Sequence, residues 1–268
     1  MDVTSLGFRT DLALLELGGS ELEDRGEHIV VRTAHNPTFW WGNFILLARA
    51  PADQAAADAS IELFAAAFPA AAHVAIGVDG ASGTAEDLAG FRAHGMEPDV
   101  ACVMTAAAVH EPPRPNRAAS YRALSSDDDW AQSVELAMAT NTEYEPGYHR
   151  PFAERKAATS RALVEAGHGG WFGAFVDGRL RSQMGLLAAG PRLARFQAVE
   201  THPEFRGQGL AGTLVQEVSR YGFADLGAET LVMVADPGYL AIQVYRSVGF
   251  TDGETQLQVT RPPAGTKT

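Results

Sequence analysis

The chain has 268 residues, 46% hydrophobic and 20% charged, with a formal net charge of −12. This is the composition of a globular protein with a sizeable core, in one large or two ordinary domains. No apolar run approaches the ~20 residues needed to cross a bilayer. No basic cluster marks a nucleic-acid face either.

Cys102 is the only cysteine, so an intramolecular disulfide framework and a cysteine-based zinc site are excluded and no metal is expected. The opening Met1-Asp2-Val3-Thr4 lacks the basic and apolar regions of a secretory signal, and a cytoplasmic protein is expected. The charge is uneven: residues 1–117 carry a net −9 and residues 118–268 a net −3. Such an acidic surface keeps a protein soluble and also steers cations toward it.

Along the chain, residues 43–48 read as a strand, 55–68 as a helix and 73–78 as a strand. The Trp40-Trp41-Gly42-Asn43 cluster reads as core or domain interface. The run Pro112-Pro113-Arg114-Pro115 opposes helix and central strand alike, which places a linker at 112–119 between domains 1–111 and 120–262.

Beyond it, residues 120–124 read as a short strand. Asp127-Asp128-Asp129 supplies the cap and acidic first turn of a helix running to about Thr140. Residues 141–150 form a polar, aromatic segment. A second helix starts near Pro151, a suitable first helical residue, and Gly167 ends it. Residues 171–176 and 180–187 form a hairpin about Asp177-Gly178. Residues 196–201 are a strand that leads through a Gly-rich turn into a helix ending near Phe223. A strand (230–234), a short helix (239–248) and a final strand (250–259) follow. The order is that of an α/β sandwich around a mixed sheet.

The segment from Val199 to Gly212 carries the chemistry: Val-Glu-Thr-His-Pro-Glu-Phe-Arg-Gly-Gln-Gly-Leu-Ala-Gly. A strand enters a glycine turn that opens a helix. Glycines let backbone approach a ligand, and the free N–H groups and dipole of the helix start favour an anion. Arg206 adds a permanent cation suited to phosphate oxygens. The turn is neither a P-loop nor the dinucleotide G-x-G-x-x-G.

Arg206-Gly207-Gln208-Gly209-Leu210-Ala211, with Pro203 upstream, resembles the Q/R-x-x-G-x-G/A signature of the GNAT acetyltransferase superfamily. Further on, Val232 to Asp236, Ala241, Tyr245 and Gly249-Phe250 resemble the family's strand, its Asn-x-x-A helix and its Y-x-x-x-G-F ending. The resemblance covers residues 120–260. It implies acetyl-CoA as co-substrate, with backbone groups of Val199 and Thr201 pairing with the pantetheine amides. The N–H groups of the loop Arg206, Gly207, Gln208, Gly209, Leu210, Ala211 and Gly212 would hold the pyrophosphate. Tyr245 would protonate the departing thiolate or hydrogen-bond it, chemistry suited to a neutral phenol. Asp236 departs from the family's Asn.

An amine acceptor must lose a proton during attack on the thioester. Glu200, on the cofactor strand, is the first candidate for general base, with His202 and water as competitors. Strand alternation puts Glu200 and His202 on one face, opposite Val199 and Thr201. The interleaved carboxylates and aromatics of residues 142–150 suit a cationic amine through charge pairing and cation–π contact.

Phe91-Arg92-Ala93-His94-Gly95-Met96 repeats the form of Tyr245-Arg246-Ser247-Val248-Gly249-Phe250, which suggests a diverged first copy of the same repeat. Ala52-Asp53-Gln54-Ala55 stands there in place of the glycine loop, Asp53 would repel a phosphate, and Phe91 cannot donate a proton. The expected architecture is two GNAT-like mixed-sheet domains in tandem, the C-terminal one complete and alone in binding cofactor. The expected reaction is acetyl transfer from acetyl-CoA to a small-molecule primary amine by direct attack in a ternary complex, with no nucleic-acid or membrane partner. The rivals are a transferase of another acyl-CoA, the tandem mycothiol-pathway acetyltransferases being one kin, and a CoA-responsive regulatory protein without turnover.

Overall fold

The computed structural model describes residues 1–266. In chain order its elements are α1 (Leu6–Leu17), β1 (Glu21–Asp24), β2 (His28–Arg32), β3 (Phe44–Leu47), α2 (Gln54–Ala67), β4 (Val74–Val78), β5 (Glu97–Ala106), β6 (Ser120–Ala123), α3 (Asp127–Thr140), α4 (Pro146–Glu165), β7 (Gly169–Val176), β8 (Arg179–Ala188), β9 (Leu193–Thr201), α5 (Leu210–Ala224), β10 (Thr230–Ala235), α6 (Ala241–Arg246) and β11 (Thr251–Arg261). The described residues form two compact units: Met1–Val103 with residues 253–266, and Met104–Asp252.

In the first unit the strand order is β1-β2-β3-β4-β11-β5. β3 and β4 are parallel, while β1–β2, β2–β3 and β4–β11 pair antiparallel. Phe44-Ile45-Leu46-Leu47 is buried throughout, because each face of the sheet is covered. Phe44 and Leu46 pack with Phe8 and Leu12 of α1; Ile45 and Leu47 pack with Phe64 of α2 and with Phe91. Leu257 and Val259 of β11 fill the second of these cores, opposite Val78 and Ile76. The last strand was expected in the 120–262 domain, and its partner β4 lies in the first unit instead. An alternating apolar strand specifies a face and leaves its partner open.

The second unit has the strand order β10-β9-β8-β7-β6. Its strands are antiparallel except for β9–β10, which is parallel. Asp177 (φ 50°) and Gly178 (φ 73°) both adopt the left-handed region, as the expected two-residue hairpin turn requires. On one face Trp130 of α3 packs on Trp171 of β7, with ring centroids 6.0 Å apart, among Leu124, Leu136, Phe175 and Leu180. On the other, Tyr221 of α5 packs on Phe172 at 4.8 Å.

Two helix starts differ from expectation. The cap of α3 is Ser126, whose hydroxyl accepts from Asp129 N–H, while the Asp129 carboxylate accepts from Ser126 N–H. α4 begins at Pro146, five residues before Pro151, which sits inside the helix. Pro146 is as good a first helical residue as Pro151, and the interior proline forfeits one backbone bond. Arg150 pairs with Glu135 at 2.8 Å, and His149 stacks on Tyr144 and packs at a tilt against Phe152, so the turn is held from its sides.

Asp129 is the most tightly held carboxylate of this face. Arg122 grips it with two nitrogens at 2.7 and 2.8 Å, Ser125 N–H adds a third bond, and Arg122 lies 3.8 Å from the Phe175 ring centroid. The Arg122 hydrogen bonds hold the Asp129 carboxyl well below the usual carboxylate range. Its folded form therefore releases its proton more readily than the unfolded chain. The stabilisation is present above the unfolded value near 3.9 and drains away as pH falls from there toward the lowered folded value. Asp129→Ala is expected to cost about 3 kcal/mol at pH 7 and to flatten the acid limb of urea-unfolding free energies. An unchanged acid limb in the variant would assign that limb to other groups.

Candidate active site

β9 is where sequence pattern and geometry part. Gln183 of β8 pairs with Glu200 and Gly185 with Gln197, so Ala198 and Val199 together stand opposite Met184. This is a β-bulge, and Ala198 takes the left-handed φ of 46°. On the other edge, the β9–β10 pairing covers Leu193 to Arg195. Beyond it a cavity of about 200 Å³ opens, lined by Phe196, Ala198 and Val199 of β9, Met233 to Asp236 on and just after β10, and Tyr239, Ala241 and Tyr245.

Tyr245 of α6 is 5% exposed, and burial pushes its phenol up from the ordinary value, so it holds its proton throughout the neutral range. Asp236 turns its Oδ1 to Gly238 N–H at 2.7 Å and so closes the turn before α6.

Glu200 lies next to this cavity and outside its wall. Its carboxylate is within 2.6 Å of Gln183 Nε2, on the face that α3 covers, since Gln183 also reaches the Ser133 carbonyl at 3.2 Å. Thr201 takes the other face: its hydroxyl meets Ser182 Oγ at 2.9 Å, and its carbonyl accepts from Arg206 Nε at 3.2 Å. Burial raises Glu200 to about 7, and the Gln183 hydrogen bond draws it partly back. His202 is engaged elsewhere: its ring accepts from Glu204 N–H and caps the short turn Pro203–Phe205.

The glycine turn follows. Gly207 (φ 73°) and Gly209 (φ 79°) are both left-handed, and Gly209 is the N-cap of α5 with no side chain to occupy the helix start. The first-turn N–H groups of Leu210, Ala211 and Gly212 lack intrahelical acceptors by construction. In α2 the corresponding start is capped by Asp53, whose carboxylate accepts from Ala56 N–H at 2.9 Å. One helix start has its own anion and the other is open to one.

The expected linker lies against this turn. A Cβ on Gly209 would stand 2.2 Å from the Arg114 carbonyl oxygen, and one on Gly212 3.2 Å from Pro112. Asn116 Nδ2 donates to the Gln208 carbonyl, and Asn116 N–H donates to Thr213 Oγ1, both at 2.9 Å. At Gly209 the close approach that demands glycine is made by the chain itself, which no motif in the loop revealed. Gly207 has open space around it.

The structure thus gathers Val199 and Tyr245 at one cavity, Glu200 on the adjoining face, and Arg206 to Gly212 on the turn after β9. Among the described residues, no helix is long and apolar enough to cross a membrane, and no group of three or more His, Cys, Asp or Glu side chains is placed to hold a metal ion.

A parallel strand pair parting over a bulge, followed by a glycine-capped helix, defines an acyltransferase fold of the GNAT type. Residues 133–250 match the sequence model of the Acetyltransferase (GNAT) family, so the second unit carries a GNAT acetyltransferase domain, a transferase. The chain is similar in structure to a GCN5-related N-acetyltransferase from Kribbella flavida, with TM-score 0.65, 16% identity, and 97% of this chain and 96% of that chain covered. It is also similar to a tandem GNAT protein from the clavulanic acid biosynthesis pathway, with TM-score 0.54, 14% identity and 98% of both chains covered. A functionally unknown conserved protein from Staphylococcus epidermidis ATCC 12228 gives TM-score 0.65 at 13% identity, covering 89% of this chain and 92% of that chain. At these identities the likeness is one of fold, and it extends over nearly the whole chain. No curated protein matches the sequence.

Proposed function

We propose that the second unit transfers an acetyl group from acetyl-CoA to a small-molecule primary amine, by direct attack within a ternary complex. The observation that carries this reading is the parting of β9 from β10 at the bulge, which opens a cavity ending on the buried hydroxyl-bearing Tyr245. Acetyl-CoA supplies the activated acyl thioester. Backbone groups of Val199, beyond the β9–β10 pairing, and of Thr201, once Arg206 turns from its carbonyl to the pyrophosphate, pair with the pantetheine amides. Arg206 and the N–H groups from Gly207 to Gly212 take the pyrophosphate, with the uncapped start of α5 favouring negative charge.

Glu200 removes the proton of the acceptor amine, directly or through one water, from the face covered by α3. The aromatic and acidic segment at 142–150 spans the turn after α3 and the start of α4, and we assign the acceptor to that side. Tyr245 donates its phenolic proton to the departing thiolate. The first unit reads as a degenerate repeat without cofactor: Asp53 caps the helix start, and Phe91 is fully buried core.

Tyr245→Phe keeps the ring and its packing while removing the donor. It is expected to lower kcat about 10²-fold, the low end for general acid catalysis, with the CoA dissociation constant held within about twofold of wild type since no binding contact is lost. Steady-state kinetics and calorimetry check this, and unchanged turnover would remove Tyr245 from the acid role. Absence of calorimetric CoA binding to the wild-type protein would overturn the whole reading.

A further inference from the structure

Gln183 is the cross-strand partner of Glu200, and it is 2% exposed. Its amide is fully used. Nε2 donates to Glu200 Oε2 at 2.6 Å and to the Ser133 carbonyl of α3 at 3.2 Å, while Oε1 accepts from Trp171 Nε1 at 3.2 Å. An indole N–H can only donate and a carbonyl can only accept. These two neighbours therefore fix which end of the amide faces Glu200. A flipped amide would set oxygen against both the carboxylate and the Ser133 carbonyl, and would leave the buried Trp171 N–H facing an NH2.

Trp171 is itself held. It is 4% exposed and packs on Trp130, and Gly185 stands directly across from it on β8. A Cβ at Gly185 would lie 2.3 Å from the Trp171 ring, so the glycine gives the indole its place against the sheet. The β9 bulge completes the arrangement. Gln197 and Glu200, three residues apart, both pair with β8 residues of one parity, Gly185 and Gln183. Simple alternation would have sent one of them to the opposite face.

We propose that Trp171 and Gln183 are positioning residues, a relay from β7 through β8 that fixes the orientation and protonation of the Glu200 carboxylate. The relay rests on the reading of Glu200 as general base for its catalytic meaning; its geometry stands without it. Holding Oε2 from inside the sheet leaves Oε1 to meet the acceptor or a water.

The charged groups of the packed elements are engaged elsewhere. On α3, Asp127 pairs with Arg161, Asp129 with Arg122 and Glu135 with Arg150, and Asp128 accepts from Gln132. On β8, Arg181 lies over the Phe205 ring, 4.3 Å from its centroid. On the Glu200 strand's own exit, His202 caps the following turn. Burial raises the Glu200 proton affinity and Gln183 is the group that lowers it.

The test uses Gln183→Met, which keeps the length and removes the donor, and Trp171→Phe, which leaves the amide without its orienting N–H. The Glu200 carboxyl is titrated by NMR in the full chain labelled with carboxyl-13C glutamate, the signal being assigned by its loss in Glu200→Gln. In Gln183→Met the midpoint is expected to rise by about one pH unit, a tenfold gain in proton affinity on losing a hydrogen bond to the charged form. Trp171→Phe is expected to move it the same way by less, and the double variant by no more than Gln183→Met alone. An unmoved midpoint in both folded variants overturns the relay. If the midpoint moves and the alkaline rise of kcat moves with it, relay and base are both supported. A moved midpoint with an unmoved kcat profile leaves the relay standing and removes Glu200 from the role of base.

Discussion

Glu200→Gln is expected to lower kcat by about 10³-fold, within the range for a general base, while making the folded protein more stable above pH 7. The two effects have one cause. Burial on the α3 face raises the carboxyl to about 7, so near neutrality the group stands ready both to accept and to release a proton. The same burial penalises the charged form. Because the folded carboxyl binds its proton more tightly than the unfolded one, the stability it confers is complete below about 4.3 and is lost as pH rises through about 7. At pH 8 the ionised, buried Glu200 costs on the order of 3 kcal/mol at about 1.4 kcal/mol per tenfold; the neutral amide of Gln avoids that cost and keeps the shape. In the wild-type enzyme kcat should rise with pH through about 7 as Glu200 loses its proton, and Glu200→Gln should lose that rise. Thermal melts at pH 5 and pH 8 supply the second reading: the variant should gain at pH 8 and not at pH 5. A variant that loses activity and stability together at pH 8 would mark Glu200 as a structural residue.

How far the sequence could lead is clear from particular residues. Asp177-Gly178 announced its hairpin because only a few residues accept two successive positive φ angles, and Gly209 announced a helix start because glycine there has no competing cap. The order of elements from β6 to β10 was legible for the same reason: turn chemistry is local. What stayed hidden was non-local. β11 reads as an apolar strand in either unit, and only its register with β4 assigns it. Strict alternation correctly separated Glu200 from Thr201 but gave no sign of the bulge at Ala198, which depends on two residues crowding against Met184. It also grouped His202 with Glu200, whereas the chain turns at that point and spends the imidazole on a cap. Gln183 and Trp171 passed as ordinary strand residues, because a hydrogen-bond chain across three strands has no sequence spacing. Pro146 and Pro151 offered two equal helix starts, and neighbouring rings and the Arg150–Glu135 pair decided between them. In the first unit the pattern assigns β3, α2 and β4 and leaves α1, β1, β2 and β5 unassigned, although Ser5 caps α1 and Gly18 follows its last residue.

Gly209→Ala is expected to be strongly destabilising, and comparison with Gly207→Ala isolates the reason. Both glycines sit at left-handed φ, 79° and 73°, where an L side chain costs about 1–2 kcal/mol. Around Gly207 a Cβ meets open space, so that strain is the whole cost. At Gly209 the added Cβ would stand 2.2 Å from the Arg114 carbonyl oxygen, a separation that backbone atoms do not tolerate. The Arg114 segment cannot simply retreat. Asn116 ties it to the Gln208 carbonyl and the Thr213 hydroxyl, Tyr121 donates its hydroxyl proton to the Asn116 carbonyl at 2.9 Å, and Pro112 packs at Gly212. Relieving the clash breaks several of these bonds at about 1 kcal/mol each, which brings the total to roughly 4 kcal/mol against about 1–2 for Gly207→Ala. Urea unfolding of the two variants measures the gap, and equal losses would show that the segment 112–116 yields freely. The contact also bears on the cofactor, since the same turn presents the N–H groups assigned to the pyrophosphate. Gly209→Ala should therefore weaken CoA binding even at temperatures where it is fully folded, and Asn116→Ala, which loosens the segment without strain at the glycine, should reproduce part of that loss. The glycine of the family signature is thus required here by a strap of the protein's own chain, and the open helix start stays available to a ligand because the strap approaches the turn through Gly209.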